Sequence, residues 1–492
     1  MLKDIKHTIK QSAVYGLSRI STKLIAFVLL PLYSLNFSLA EYGVIVRIEA
    51  LWQILWIVFL FGLEPGIISW YTKFQEESKK RIFLFSVSLF LFVTNIIYTI
   101  IFYYTSGFFS LMIFDTLNYS TLIFYASLIG SFETFIFVVF LLLRIKERAF
   151  LYSMFSILIT LINLAVQLYF LLYTDMKLEG IFIAKILSPA LVLLLLFPYF
   201  AKYLKIGFDP ETMKTLIRYS LPLMIAGVVG TLLNQSDRYI LGYLTDSREV
   251  GLYGFGYNIC GILNFFIIAP FALAFNVLAW KKYKDANAKR FFTKSVTYLF
   301  FAIIYLALIL SLATPILIKI FTLNQDYWLA KDIVPWIALS IPFYGISYIG
   351  FFSFYVAQKT VYMLWVYLTA LLVNIILNFI LIPHYQMYGA AVSNFLSFLI
   401  LCLMNYFLSR NSYFFGYEWK KIFFMILIYI LLVFPFFYFS FENTFTEYIL
   451  KLAAVIAFPL LLYPLNFYEL IEINSIRGFF NKYLRTNFKD KN

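Results

Sequence analysis

Lys79-Lys80-Arg81 is followed over residues 82–104 by IFLFSVSLFLFVTNIIYTIIFYY, an apolar run without a single charge. As an α-helix at 1.5 Å per residue it measures about 35 Å, enough to cross the ~30 Å hydrocarbon core of a bilayer. A basic cluster at one end and none at the other also orients such a helix, because lysine and arginine concentrate on the cytoplasmic side. The stretch is therefore a transmembrane span with a direction, and the same unit recurs along the chain.

Working outward, the pattern predicts spans at 13–35, 43–67, 82–104, 119–143, 151–173, 180–200, 218–243, 251–279, 294–320, 333–356, 361–382, 388–409, 421–440 and 447–468. Basic residues fall in alternate loops: Lys73, Lys79, Lys80 and Arg81, then Arg144, Lys146 and Arg148, then Lys202, Lys205, Lys214 and Arg218. The series continues with Lys281 to Lys294, Lys359, and Arg410, Lys420 and Lys421, whereas the other loops hold little beyond Lys177, Arg248 and Lys331. Lys3, Lys6 and Lys10 before the first span and Arg477 to Lys491 after the last belong to the basic side. The sequence thus reads as an all-α polytopic membrane protein of about fourteen transmembrane helices. Its expected place is the cytoplasmic (inner) membrane, multi-pass, with both termini in the cytoplasm.

The composition agrees: 63% of the 492 residues are hydrophobic and 13% charged, against roughly 45–50% and 25% in soluble domains. The net charge of +14 sits in short loops, so it serves topology, and no nucleic-acid partner is expected. Cys260 and Cys402 lie inside apolar runs and read as small buried hydrophobes, with no disulfide, metal site or cofactor implied. The run from Ala13 to Leu35 is longer than a cleavable signal core of ~7–15 residues and reads as a retained span.

An internal repeat organises the spans. Gly43 in Glu41-Tyr42-Gly43-Val44 and Gly254 in Leu252-Tyr253-Gly254-Phe255 are 211 positions apart. Asn163 and Gln167 stand 211 positions before Asn374 and Asn378, and Arg148 the same distance before Lys359. Gly180 and Gly389 open spans six and twelve at an offset of 209. One such match is chance; several at equivalent loops and spans indicate six spans present twice. An even number per copy gives both copies one orientation, related by a pseudo-two-fold along the membrane normal. The expected parts are an N-terminal lobe at 1–205, a C-terminal lobe at 206–410, and 411–492 carrying two extra helices and a tail. Repeat transporters place their site between the copies and work by alternating access.

Several of these segments resemble a known family. Tyr15-Gly16-Leu17-Ser18-Arg19, Leu30-Pro31-Leu32-Tyr33 and Ala40-Glu41-Tyr42-Gly43-Val44 resemble the opening of polysaccharide (O-antigen type) flippases. Tyr219-Ser220-Leu221-Pro222, Ser236-Asp237-Arg238-Tyr239-Ile240-Leu241-Gly242 and Asn374 through Gly389-Ala390-Ala391 are similar to later segments of that family. The family lies in the multidrug/oligosaccharidyl-lipid/polysaccharide exporter superfamily. The resemblance implies movement of undecaprenyl-pyrophosphate-linked oligosaccharide from the cytoplasmic to the outer leaflet for cell-surface polysaccharide biosynthesis. Partners on this reading are lipid-linked oligosaccharide, membrane lipid, H+ or Na+, and other membrane proteins of polysaccharide assembly.

Charges within spans cost at least ~2.5–3.5 kcal/mol at the bilayer centre and so need a reason. Arg19 and Lys23 share one helical face of span one, and the cargo's pyrophosphate suits a cationic cavity. Arg19, Lys23, Arg47, Lys185 and Arg238 are the candidate substrate-binding cations. Snorkelling to an interface competes for Arg19, Lys23 and Arg47, and for Arg238 the end of a helix at the interface. Glu49, Glu133 and Asp237 are candidates for ion coupling or for interhelical ion pairs. Adjacent helical positions point in different directions, so Asp237 and Arg238 are not expected to pair.

The competing functions are a cation-coupled multidrug-type exporter of the same superfamily and, less well supported, a membrane glycan polymerase or acyltransferase. The first usually carries an acid on span one, where this chain has Arg19 and Lys23 and no Asp or Glu between Leu17 and Ala40. An enzyme needs a catalytic constellation, and the histidines are limited to His7 and His384. The expectation is therefore a transporter and not an enzyme.

Overall fold

The computed structural model describes residues 29–359, 361–438 and 444–469. Most of span one, with Arg19 and Lys23, lies outside the described residues. Its end, helical over 29–36, leads into a Ser38 cap whose hydroxyl accepts from the Glu41 N–H at 3.3 Å. The Glu41 carboxylate accepts in return from the Ser38 N–H at 2.8 Å, a capping box that starts span two. Span eight begins in a similar way, with Asp246 accepting from the Glu249 N–H at 2.8 Å.

The remaining spans appear in the order expected. Eleven described helices are long and apolar enough to cross a membrane. Val361–Ser409, at 49 residues, would run about 74 Å if straight, more than two bilayer crossings. It turns back at Gln386 (φ 49°, ψ −130°), which separates spans eleven and twelve. Trp419–Val433 with Pro435–Tyr438, and Thr444–Leu462, supply the appended pair. Span two differs from expectation: it is Leu39–Phe59 and then Glu64–Lys73, interrupted where Phe61 and Gly62 both take positive φ. The break brings Gly62 against the backbone of Met224, where a Cβ would stand 2.7 Å from the amide nitrogen. Span eight contains a π-turn at Asn264–Ile268. Pro270 just beyond it lacks an N–H and crowds the preceding carbonyls, which forces the helix to widen there.

The repeat is present in the backbone itself. Glu77–Phe114 and Ala288–Phe321 begin 211 residues apart, and Ser120–Ile145 and Val334–Val356 end 211 residues apart. Glu147 and Gln358, again 211 apart, both adopt φ near 57° (56° and 58°). After them the Arg148 N–H bonds to the Leu143 carbonyl at 2.8 Å, and the Lys359 N–H to the Phe354 carbonyl at 2.9 Å. This 6→1 bond closes a helix through a left-handed residue; both copies use it at the same turn. Among the described residues the molecule is two like-oriented lobes, the first with five spans and the end of a sixth and the second with six, and two more helices at the end.

Basic loops meet on one face. Arg144 pairs with Glu64 at 3.1 Å, Lys146 with Glu77 at 3.9 Å, and Lys205 donates to Ser78 at 2.9 Å. In the second lobe, Lys359 donates to the Asn411 carbonyl and Tyr413 to that of Tyr283. Span nine is fastened to the appended helices there. Glu418 accepts from Lys294 at 2.9 Å and Thr297 at 2.6 Å and pairs with Lys421 at 3.1 Å. Burial opposes ionisation of Glu418, but these donors hold its carboxyl below the ordinary value.

Candidate functional site

Spans two and eight, equivalent members of the two lobes, touch each other toward the sparsely charged face. A Cβ on Gly43 would stand 1.8 Å from the Ser247 carbonyl oxygen, and one on Gly251 2.2 Å from that of Leu39. One turn deeper, a Cβ on Gly254 would meet Val46 at 2.6 Å. Equivalent elements in contact straddle the axis that relates their lobes, so this seam runs along the centre of the molecule.

Side chains extend the seal. Arg47 is 3% exposed. It reaches neither the interface nor the cavity: it donates to the Ile113 carbonyl at 2.9 Å and to the Ser247 hydroxyl, and lies 4.3 Å above the Phe114 ring. The Tyr239 hydroxyl donates to the Arg47 carbonyl at 3.0 Å, and Asn258 donates to the Tyr42 hydroxyl at 2.9 Å. Tyr327 donates to the Phe37 carbonyl at 3.0 Å, and Gln235 to Gln53 at 2.6 Å. From Gly43 to Gln53 is about 15 Å of helix, half the hydrocarbon thickness. Below that level span two stays against span seven, with Gly62 on the Met224 backbone, and hollows open beside them. A cavity of about 410 Å³ between spans two, seven, ten and eleven is lined by Ile57, Gly227, Gly230, Asn234, Tyr344 and Tyr367. A second, of about 310 Å³, shares Asn234 and Tyr344 with it and adds Gln53, Gln235 and Tyr257.

The buried charges fall into separate networks. Lys185 pairs with Glu49 inside the first lobe and sits 5.1 Å above the Trp52 ring. Glu133 accepts from Trp52 Nε1 at 3.0 Å. Lys185 and Glu133 both line a first-lobe cavity of about 410 Å³ with Trp56, Thr160, Asn163 and Ser188. In the second lobe, Asp237 is fully buried and Arg238 6% exposed, so neither marks a helix end at the interface. They also pair, against expectation, with Arg238 Nη1 3.1 Å from Asp237 Oδ1. The long arginine side chain folds back along its own helix, donating to the Asn234 carbonyl at 2.7 Å and lying 4.4 Å over Tyr257. Tyr253 donates to the other Asp237 oxygen.

The repeated amides make the same bond in both lobes: Gln167 donates to Asn163 at 2.5 Å, and Asn378 to Asn374 at 2.8 Å. Tyr33 caps the first ladder through Gln167 at 2.5 Å, and Ser236 the second through Asn374 at 3.0 Å. The tyrosines of the seam and cavity carried no distinguishing signal among 39 in the chain. Gln53 and Gln235 had one, as amides within apolar runs. Among the described residues no group of three or more His, Cys, Asp or Glu is placed to hold a metal ion. Cys260 and Cys402 are free and buried.

Comparisons with known proteins fit this arrangement. The family described as polysaccharide biosynthesis protein matches residues 8–275, more than half of the chain, and MatE matches residues 222–380. The fold is similar to that of the lipid II flippase MurJ in an inward closed conformation, with TM-score 0.72 and 15% identity over 93% of this chain and 99% of that one. It is also similar to an inward-facing multidrug resistance MATE family transporter of the MOP superfamily, with TM-score 0.63 and 14% identity over 80% and 98% of the two chains. A MATE protein in a straight conformation gives TM-score 0.54 and 16% identity over 82% and 96%. No curated protein sequence matches the chain. With two like lobes, a seam of glycines between them and a cavity beneath it, the chain belongs to the polysaccharide biosynthesis protein family, within the multidrug/oligosaccharidyl-lipid/polysaccharide exporter superfamily of transporters.

Proposed function

We propose that this protein is a flippase carrying an undecaprenyl-pyrophosphate-linked oligosaccharide from the cytoplasmic to the outer leaflet, for cell-surface polysaccharide biosynthesis. The observation that carries the reading is the cavity between the lobes, sealed by the glycine seam toward the sparsely charged face. With the basic loops cytoplasmic, that is a transporter shut on the outside. The membrane is then the inner one and both termini are cytoplasmic. Cargo enters from the cytoplasmic side, the lobes rock, and the seam opens to release it. The glycan occupies the amide- and tyrosine-lined cavity while the lipid tail stays in the bilayer. Arg19 and Lys23 supply the positive charge for the pyrophosphate, assisted by cations freed as the lobes move: Arg47 from its seam contacts, Lys185 and Arg238 from their carboxylates. A similar fold in a lipid II flippase supports a lipid cargo. Proteins of polysaccharide assembly in the same membrane are the expected neighbours.

The test is to delete the protein and ask on which leaflet lipid-linked oligosaccharide accumulates. Build-up on the cytoplasmic leaflet is expected; an unchanged distribution defeats the proposal. In the same assay the Arg19→Ala/Lys23→Ala double variant inserts normally but fails to complement, and full complementation removes those two residues from the site.

Glu133 is the carboxylate best placed for proton coupling. Glu49 and Asp237 are each held by a cation, whereas Glu133 makes no ion pair among the described residues and accepts one indole hydrogen bond. A proton can reach or leave it from its cavity without breaking an ion pair to any described residue. Transport by the Glu133→Gln variant loses its pH dependence; an unaltered profile clears the residue.

The multidrug-type exporter is the second reading, favoured by the MATE-like fold. A thermal shift with cationic drugs, absent with lipid pyrophosphates, reverses the choice between them.

A further inference from the structure

The appended helices enclose a polar hollow against the second lobe, on the face opposite the basic loops. About 360 Å³ in volume, it is lined by Lys319, Trp328, Lys331, Asp332, Glu447 and Lys451. Lys451, 9% exposed, is committed to Glu447 at 2.6 Å. Lys319 and Lys331 make no ion pair among the described residues; Lys319 Nζ lies 5.2 Å above the Trp328 ring. The indole N–H of Trp328 is buried and has no acceptor among the described residues. A buried donor left without a partner calls for an explanation, and an oxygen-bearing ligand in the hollow supplies one. Burial raises the Asp332 carboxyl above its ordinary value, against the pull of Lys331.

A wider basin of about 770 Å³ adjoins the hollow and shares Lys331 and Asp332 with it. Its walls are Trp336, Tyr385, Tyr388 and Phe434, with Trp336 and Phe434 edge to face at 4.6 Å. Aromatic faces beside a few convergent polar groups form a pocket for a ligand with both apolar faces and hydrogen-bonding edges. Sugar rings have that character. Two lysines without an ion pair among the described residues add a preference for negative charge.

We propose that hollow and basin together form a binding site for an acidic saccharide, its carboxylate or phosphate against Lys319 and Lys331 and its rings on the aromatic wall. A phospholipid headgroup satisfies the lysines alone; the cations here open on to the tyrosines of the exposed turn between spans eleven and twelve. The site's outward placement rests on the orientation proposed above, but ligand binding does not.

Full-length protein in phosphatidylcholine nanodiscs is titrated calorimetrically with trigalacturonate, maltotriose and inorganic phosphate. Trigalacturonate is expected to bind at least tenfold more tightly than either of the others. The Lys319→Gln/Lys331→Gln double variant and Tyr385→Ala, each with unchanged thermal stability, are expected to weaken it at least tenfold. Equal binding of maltotriose, or no loss in the lysine variant, overturns the proposal. So does a loss in the lysine variant alone with Tyr385→Ala unaffected, or displacement of trigalacturonate by phosphatidylglycerol in the disc. Because the readout is equilibrium binding, it stands or falls separately from leaflet accumulation.

Discussion

Replacing Gly43 by valine abolishes transport and leaves the protein open at the face it now keeps shut. A Cβ at this position would stand 1.8 Å from the Ser247 carbonyl oxygen, and the obstructing atom is backbone, with no rotamer to yield. Overpacking a well-packed contact costs about 1–3 kcal/mol, occasionally more, and here the upper end applies. At 1.4 kcal/mol per tenfold, about 3 kcal/mol shifts the balance between sealed and open seams by roughly a hundredfold. The cost can be relieved by separating spans two and eight. A cysteine at Ser247 should then become reactive to a membrane-impermeant thiol reagent in the Gly43→Val background and remain protected without it. Protection in both backgrounds, with normal transport, would show that the seam neither opens nor matters.

The second large effect is expected at Asp237. Replacing it by alanine leaves the Arg238 guanidinium, 6% exposed, without the carboxylate that neutralises it. Breaking a buried pair by removing one partner costs about 3–5 kcal/mol, whereas removing both charges is far milder. The Asp237→Ala variant is therefore expected to lose most of its thermal stability in detergent, and Asp237→Asn/Arg238→Gln to regain much of it. If the single and double variants melt together, the pair holds nothing and Arg238 is free for cargo.

The spans were legible because hydrocarbon thickness sets a length that a run of apolar residues either meets or misses. The repeat was legible to the residue: Arg148 and Lys359 mark turns that share the same left-handed residue and the same 6→1 bond. What stayed hidden depends on helix rotation and on contacts between distant segments. Nothing near Arg47 in the chain announces Ser247, 200 residues away. Nor does any local pattern tell Glu49 from Glu133 as the partner of Lys185, since both acids lie in apolar spans and helix rotation decides between them. Asp237 and Arg238 misled for a different reason. Neighbouring Cβ atoms diverge on a helix, but an arginine is long enough to bend back over that divergence.

The shared orientation of the lobes has a last consequence. In a transporter built from inverted copies, exchanging the conformations of the two copies converts an inward-open form into an outward-open one. Here the copies are related by an axis along the membrane normal, and the same exchange returns a cavity on the side where it began. The two access states are thus different structures with no symmetry to equalise their energies. The Gly43 and Gly251 contacts and the Arg47 latch belong to one face alone. The molecule is accordingly a biased device, with one door shut, and opening that door costs the free energy of the contacts that seal it.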